Sequence, residues 1–180
     1  MKRTNVKWLM MLVFVLIVAL VSGGCGNTPA SNSTAKQAFS VGAIFDITGS
    51  SSSLGMPERD SVQMLVDQVN AKGGINGHKI NLIMLDGKSS ESETALAMKR
   101  LVEQDKVLAV IGSSTSGPSM SMVPIAQEKQ VPMISSAASV KIVAPVAERK
   151  WIFKTAQNDD LVAQKIISYL KAKGITNVAF

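Results

Sequence analysis

The sequence predicts an α/β fold, with a mainly parallel sheet and helices on both faces. Three observations carry this. Short apolar runs alternate with longer segments of 3.6-residue periodicity. The apolar runs exit into loops of glycine and hydroxyl residues, and alternation of this kind marks β-α-β units. Residues 70–86 (NAKGGINGHKINLIMLD) spell one whole crossover: a helix end, a glycine turn and a buried strand.

The elements follow in order. Residues 39–45 (FSVGAIF) are an apolar strand, and residues 46–55 (DITGSSSSLG) its exit loop. A helix is predicted over 57–72, with Pro57 in its first turn and Val62, Leu65, Val66 and Val69 on one face. Gly73-Gly74 stops it and Asn76-Gly77 makes a turn, with His78 as a solvated turn residue. A strand over 79–85 comes next. Ser90 and Glu93 have the spacing of a capping box, opening a helix to Glu103 with Ala95, Leu96, Met98, Leu101 and Val102 mostly inward. Strands are predicted at 107–111, 131–135 and 151–154, with a helix over 118–129. Asn158 caps a last helix carrying Leu161, Ala163, Ile166, Ile167 and Leu170, and Gly174 stops it. A sixth strand is predicted from Asn177 to Phe180. The chain stops inside it, and a fragment of a longer protein is expected.

The first 24 residues have a different character. Lys2, Arg3 and Lys7 precede an apolar run from Trp8 to Val21, and Ser22-Gly23-Gly24 follows. This is the layout of a secretory signal peptide, 1–24. The run is short of the roughly 20 residues a membrane span needs, which sets the alternative of a retained anchor behind cleavage. Cys25 is the only cysteine among the 180 residues, so an internal disulfide is excluded. Val21-Ser22-Gly23-Gly24-Cys25 resembles a bacterial lipobox, in which the cysteine is lipidated. Ser22 departs from the usual Leu, and an ordinary signal with an incidental cysteine is the other reading. Residues 25–38 are small and polar and predict a flexible tether, lipid-anchored if Cys25 is modified.

Composition excludes several functions. The chain has 19 Lys+Arg against 13 Asp+Glu and a mean hydropathy of +0.21. Three of the basic residues lie in the signal, so the rest is close to charge balance and holds no basic run. With aromatics at 4% as well, nucleic-acid binding has no support. Gly112 to Gly117 (GSSTSG) has the spacing of a phosphate loop, but Pro118 stands where the lysine is needed. A nucleophile elbow needs Gly at 116, where Ser116 stands. His78 is the only histidine, and no His/Cys/carboxylate cluster suggests a metal. No catalytic residue and no cofactor is predicted.

The two hydroxyl loops carry the remaining chemistry. Ser114 and Ser116 follow one parallel strand; Ala137, Ala138 and Ser139 follow the next. Such exits share the crevice where open α/β sheets bind ligands. A helix N-terminus attracts a carboxylate, while carbonyls and hydroxyls accept from an ammonium, so two such exits suit a zwitterion. Serines that merely fill solvated loops are the competing reading.

Residues 41–55, 69–86, 107–117, 131–139 and 153–159 together resemble the type I periplasmic binding proteins, specifically the leucine/isoleucine/valine-binding family of ABC-importer receptors. The likeness covers 39–180 in matching order. It implies two α/β lobes closing on a ligand, with 39–156 as lobe one and 157–180 as the truncated start of lobe two. It places the carboxylate-binding serine on Ser116. It places the residues that meet the α-amino group on Ala137 or Ala138 and on Ser139, where many members have Thr. The lobe-two contacts, typically a Tyr and an acidic residue, fall beyond Phe180. It implies a non-enzymatic receptor for an amino acid or amide, secreted across the cytoplasmic membrane, lipid-anchored on its outer face and docking on permease subunits. A sensory domain of the same fold is an alternative, and a secreted serine hydrolase a weaker one. The lac-repressor family shares the fold but opens with a DNA-binding helix-turn-helix, whereas this chain opens with a signal.

Overall fold

The computed structural model describes residues 36–179. The expected signal peptide, the lipidation site Cys25, the tether up to residue 35 and Phe180 lie outside the described residues. Five parallel strands form one sheet in the order β2-β1-β3-β4-β5: β1 Lys36–Phe45, β2 His78–Asp86, β3 Val110–Gly112, β4 Met133–Ser135 and β5 Ile152–Lys154. Four α-helices accompany them: α1 Ser52–Ala71, α2 Glu91–Lys99, α3 Ser116–Lys129 and α4 Asp159–Ala172. A π-helical turn, Arg100–Gln104, continues α2, so the helix predicted to Glu103 changes its winding for the last turn.

One face of the sheet holds the core. Ile44, Val110, Met133 and Ile152 point from four strands toward α2, its π turn and α3, meeting Met98, Leu101, Met122 and Val123. The strand periodicity of two puts Phe45, Ile111, Ile134 and Phe153 on the opposite face. There α1 alone covers part of the sheet, and Ile134 and Phe153 are exposed. This openness explains two corrections. Leu65 was expected inward but is 55% exposed, because the sheet in front of α1 is not filled to the helix. Leu96, also expected mostly inward, is 62% exposed on the solvent side of α2.

Other expectations shift for local reasons. β1 starts at Lys36, so residues 36–38 of the expected tether join the sheet; Lys36 pairs with His78, and its ammonium meets the Asn76 carbonyl at 2.8 Å. His78 is not a free turn residue: its ring stacks on Phe39, with centroids 4.4 Å apart, and Nδ1 bonds the Gln37 carbonyl oxygen at 2.7 Å. The helix predicted from Pro57 starts at Ser52. Pro57 costs only the bond to the Ser53 carbonyl, and Ser53 is exposed to water. Of the capping box at α2, one half forms: Ser90 Oγ accepts from Glu93 N–H at 3.4 Å, while the Glu93 carboxylate pairs with Lys88 Nζ at 3.1 Å. Asn158 precedes α4 without a side-chain cap bond. No buried residue lies in α4, and its Leu161, Ile166 and Ile167 are exposed. Residues 175–179 are not a strand, since no strand of the sheet runs beside them to complete a ladder.

The Asn70–Asp86 crossover forms as predicted and has its own fastening. The Asn70 side-chain amide accepts from Ile80 N–H at 2.7 Å and donates to the Ile80 carbonyl at 2.8 Å, imitating a strand partner on edge strand β2. At the far end, Asp86 accepts from the amides of Ile47 (3.0 Å), Thr48 (3.2 Å) and Lys88 (2.8 Å) and from the Thr48 hydroxyl (2.6 Å). Burial pushes the Asp86 carboxyl up, but the Thr48 hydroxyl and the amides of Lys88, Thr48 and Ile47 together hold it below the ordinary carboxylate value.

Gly55, the last residue of the loop predicted over 46–55, is instead the only buried residue of α1. A Cβ on it would lie 2.2 Å from the Asp46 carbonyl oxygen. Gly55→Ala is therefore expected to destabilise the chain by about 1–3 kcal/mol in urea unfolding, because backbone must move to admit the methyl. A depressed carboxyl stabilises fully above its unfolded value, roughly pH 4, and that contribution is lost as pH falls through the lower folded value. Urea midpoints between pH 7 and 3 should fall more steeply for the wild type than for Asp86→Asn.

Candidate functional site

The chain runs from β1 to β2 on one side of β1 and returns to β3 on the other. Exit loops therefore diverge at the carboxyl ends of β1 and β3, the switch point where ligands bind in open α/β sheets. The predicted residues gather beside it. Ser116 opens α3 and Ser139 follows β4, and the Ser139 N–H donates to Ser116 Oγ at 3.4 Å. Both side chains are half-buried. Ser116 Oγ keeps its own proton for a ligand. Ser139 Oγ accepts from Lys141 N–H at 3.3 Å, capping the short 3-10 turn Val140–Ile142, and also keeps its proton.

Gly112 lets the β3 exit come this close to β1. It sits at φ +118°, and a Cβ there would lie 1.9 Å from the Ile44 carbonyl oxygen. Just beyond, Ser114 turns its hydroxyl inward and accepts from Asp46 N–H at 3.1 Å. Ser114 was expected to face the ligand; it is 6% exposed and joins the β1 and β3 exits instead. Thr115 occupies the N-cap position of α3 yet makes no cap bond, and its hydroxyl donates to Asp46 Oδ2 at 2.8 Å. The amides of Ser116 and Gly117 make no hydrogen bond among the described residues. A helix start of this kind carries roughly half a positive charge. Two open N–H groups and the Ser116 hydroxyl are together the kind of donors that a carboxylate accepts from.

A second set of hydroxyls lies behind the loops. Ser119 Oγ bonds Ser135 Oγ at 2.7 Å and the Ser113 carbonyl at 3.2 Å, and Ser135 Oγ accepts from Ala137 N–H at 3.1 Å. This chain fixes the orientation of Ala137, which is 4% exposed. Ala138 is exposed, and its carbonyl already accepts from Lys154 Nζ at 2.6 Å and from Asp159 N–H at 3.3 Å. An apolar groove of about 500 Å³ borders the loops, lined among others by Phe45, Leu54, Val62, Ile111, Ser136 and Thr155. Leu54 and Asp46 were not picked out from the sequence. Leu54 directly follows a run of four serines, and Asp46, like Asp86, is an acid at a strand exit, which are the signals that mark them.

His78 lies at the opposite edge of the sheet, paired with the start of β1, so the one histidine is remote from the loop serines. Among the described residues no group of three His, Cys, Asp or Glu could hold a metal, and no helix is long and apolar enough to cross a membrane.

Comparison with known proteins adds the context. A model of the family described as periplasmic binding protein matches residues 38–180. An amino acid binding protein of Pseudomonas aeruginosa is 28% identical over 141 residues, covering 75% of this chain and 37% of that protein. The branched-chain amino acid transporter substrate-binding protein LivJ of Streptococcus pneumoniae, solved in complex with isoleucine, is 35% identical; it superposes with a TM-score of 0.63 over 67% of this chain and 34% of its own. The leucine-binding protein LivK of Thermotoga maritima is 26% identical, with a TM-score of 0.65 over 75% of this chain and 38% of its own. The chain thus spans little more than a third of the length of these relatives.

The buried hydroxyl chain yields a test. Ser135→Ala leaves Ser119 Oγ and Ala137 N–H without their shared partner, and unfolding should cost about 1–3 kcal/mol less free energy than in the wild type. Adding Ser119→Ala should cost less than the two single losses summed, since both remove one bond.

Proposed function

We propose a receptor function from one premise: the chain belongs to the periplasmic binding protein family. It binds an amino acid, branched-chain or closely related, outside the cytoplasm and delivers it to the permease subunits of an ABC importer. The observation that carries this is the pairing of Ser116, at the open start of α3, with Ser139 across the β3 and β4 exits. In this arrangement the Ser116 hydroxyl and the amides of Ser116 and Gly117 take the ligand carboxylate. The Ala137 carbonyl and the Ser139 hydroxyl take the ammonium. Ala137 is favoured over Ala138 because Lys154 and Asp159 already occupy the Ala138 carbonyl. Ser114 positions the loop from behind. Leu54, 53% exposed on the rim of the groove, offers an apolar wall to an aliphatic side chain.

Residues 39–156 serve as lobe one and 157–180 as the start of lobe two, which supplies the other half of the grip. The exposed apolar side chains of α4 support this, since that helix buries no residue against lobe one. The remainder of the proposal concerns residues 1–38: a cleaved signal over 1–24, a lipid on Cys25 and a short tether holding the lobe at the outer face of the membrane. Binding without turnover is supported by the relatives, which are binding proteins.

NMR titration of the chain with leucine, isoleucine, valine, other amino acids and short amides tests the reading. The amides of Ser116, Gly117 and Ser139 should shift saturably with millimolar Kd, and Ser116→Ala should weaken binding by tenfold or more, on the order of 1.4 kcal/mol. Absence of shifts with every amino acid would sink the binding reading. A Kd below about 10 μM (roughly −7 kcal/mol) for this chain alone would overturn the two-lobe grip.

A further inference from the structure

We propose that Asp46 is a positioning residue for ligand binding: it draws the Thr115 hydroxyl off the first turn of α3 and so keeps that turn's N–H groups open. The inference rests on the binding site described above and assigns a role to a residue that touches no ligand.

A threonine at an N-cap ordinarily turns its oxygen toward the N–H of the second or third helical residue. In α3 the third residue is Pro118, which has no N–H, so Gly117 N–H is the one group Thr115 could cap. Thr115 has the extended backbone of a capping residue, φ −123° and ψ 161°, yet no cap bond forms. Its hydroxyl donates instead to Asp46 Oδ2 at 2.8 Å. A ligand carboxylate needs the same Gly117 N–H, so a capping hydroxyl would compete with it.

Asp46 is placed to win that contest. It is 0% exposed, and a buried carboxylate requires donors. The Thr115 hydroxyl is the shortest side-chain bond it receives; Ser113 Oγ follows at 3.5 Å. The bond to Asp46 holds the Thr115 side chain in one rotamer, and in that rotamer its oxygen accepts nothing from the Gly117 N–H. The Asp46 backbone N–H is held by Ser114 Oγ at 3.1 Å, and Gly87 leaves room for the carboxylate, since a Cβ there would lie 3.0 Å from Asp46 Oδ1.

Amide hydrogen exchange of the full chain, read by NMR without ligand, tests this. Gly117 N–H should exchange rapidly in the wild type and within twofold of that rate in Thr115→Val. Asp46→Ala should slow it at least fivefold, as the released hydroxyl caps the helix. Asp46→Ala with Thr115→Val should restore rapid exchange, a rescue that loss of packing alone would not produce. Asp46→Asn, which keeps an oxygen for Thr115, should leave exchange rapid. Unchanged Gly117 exchange in a folded Asp46→Ala variant would overturn the proposal. If that variant does not fold by circular dichroism, Thr115→Val decides: a fivefold rise in Gly117 exchange would mean that Thr115 caps the helix after all. These rates are independent of leucine titration, so a failure to bind leucine sinks the receptor reading and leaves the hold of Asp46 on Thr115 separately judged.

Discussion

Where β1 leaves the sheet, at Phe45 and Asp46, separate segments converge on two residues. The Phe45 carbonyl accepts from Gly87 N–H at 2.8 Å, after β2. Asp46 N–H is taken by Ser114, after β3, and its carboxylate by Thr115 at the head of α3. Gly55 brings α1 against the Asp46 backbone, where a side chain would not fit. Asp86 then secures the next two amides of the β1 exit. A central strand in a parallel sheet needs its exit fixed from both sides, because neighbouring loops diverge there. The positions of α1, α3 and the candidate site all follow from this one junction.

The rest of the site is a consequence of placing short polar groups on rigid supports. β3 and β4 are three residues each, so their exits are held less by ladder length than by side-chain bonds. The Ser113, Ser119 and Ser135 groups supply these from below, while Asp46 supplies them from the side. The Ser116 and Ser139 hydroxyl protons and the first two amides of α3 are donated to nothing among the described residues. Serines that solvate a loop and serines that bind a ligand have the same composition. Ser114 and Ser116 differ in burial and in partner: Ser114 is 6% exposed and accepts from Asp46 N–H, whereas Ser116 is half-buried and accepts from Ser139 N–H.

The two faces of the sheet differ in the same physical terms. Against α2 and α3 the strands bury Ile44, Val110, Met133 and Ile152 almost completely. Against α1 they leave Ile134 and Phe153 in water. Helical periodicity in α1 marks Leu65 as inward, and it would be so if the facing sheet were covered. Burial depends on the opposing surface as well as on the residue, and the periodicity of one helix carries no information about what stands in front of it.

By itself the sequence determined the class of fold, the order of its main elements, the Asn70–Asp86 crossover, and the two hydroxyl-rich loops after β3 and β4. These depend on local periodicity, on turn residues and on the resemblance carried by contiguous motifs. Membership of the periplasmic binding protein family and the all-parallel sheet agree with it. Only the tertiary structure decided which hydroxyls are buried, that His78 stacks on Phe39, that α1 begins at Ser52, and that residues 175–179 form no strand. It alone joined Asp46 to Thr115 across 69 positions of chain. The reason is common to all of these. Each is settled by a partner distant in sequence, and a hydrogen bond, a stacked ring or a strand ladder exists only once folding has brought that partner within reach.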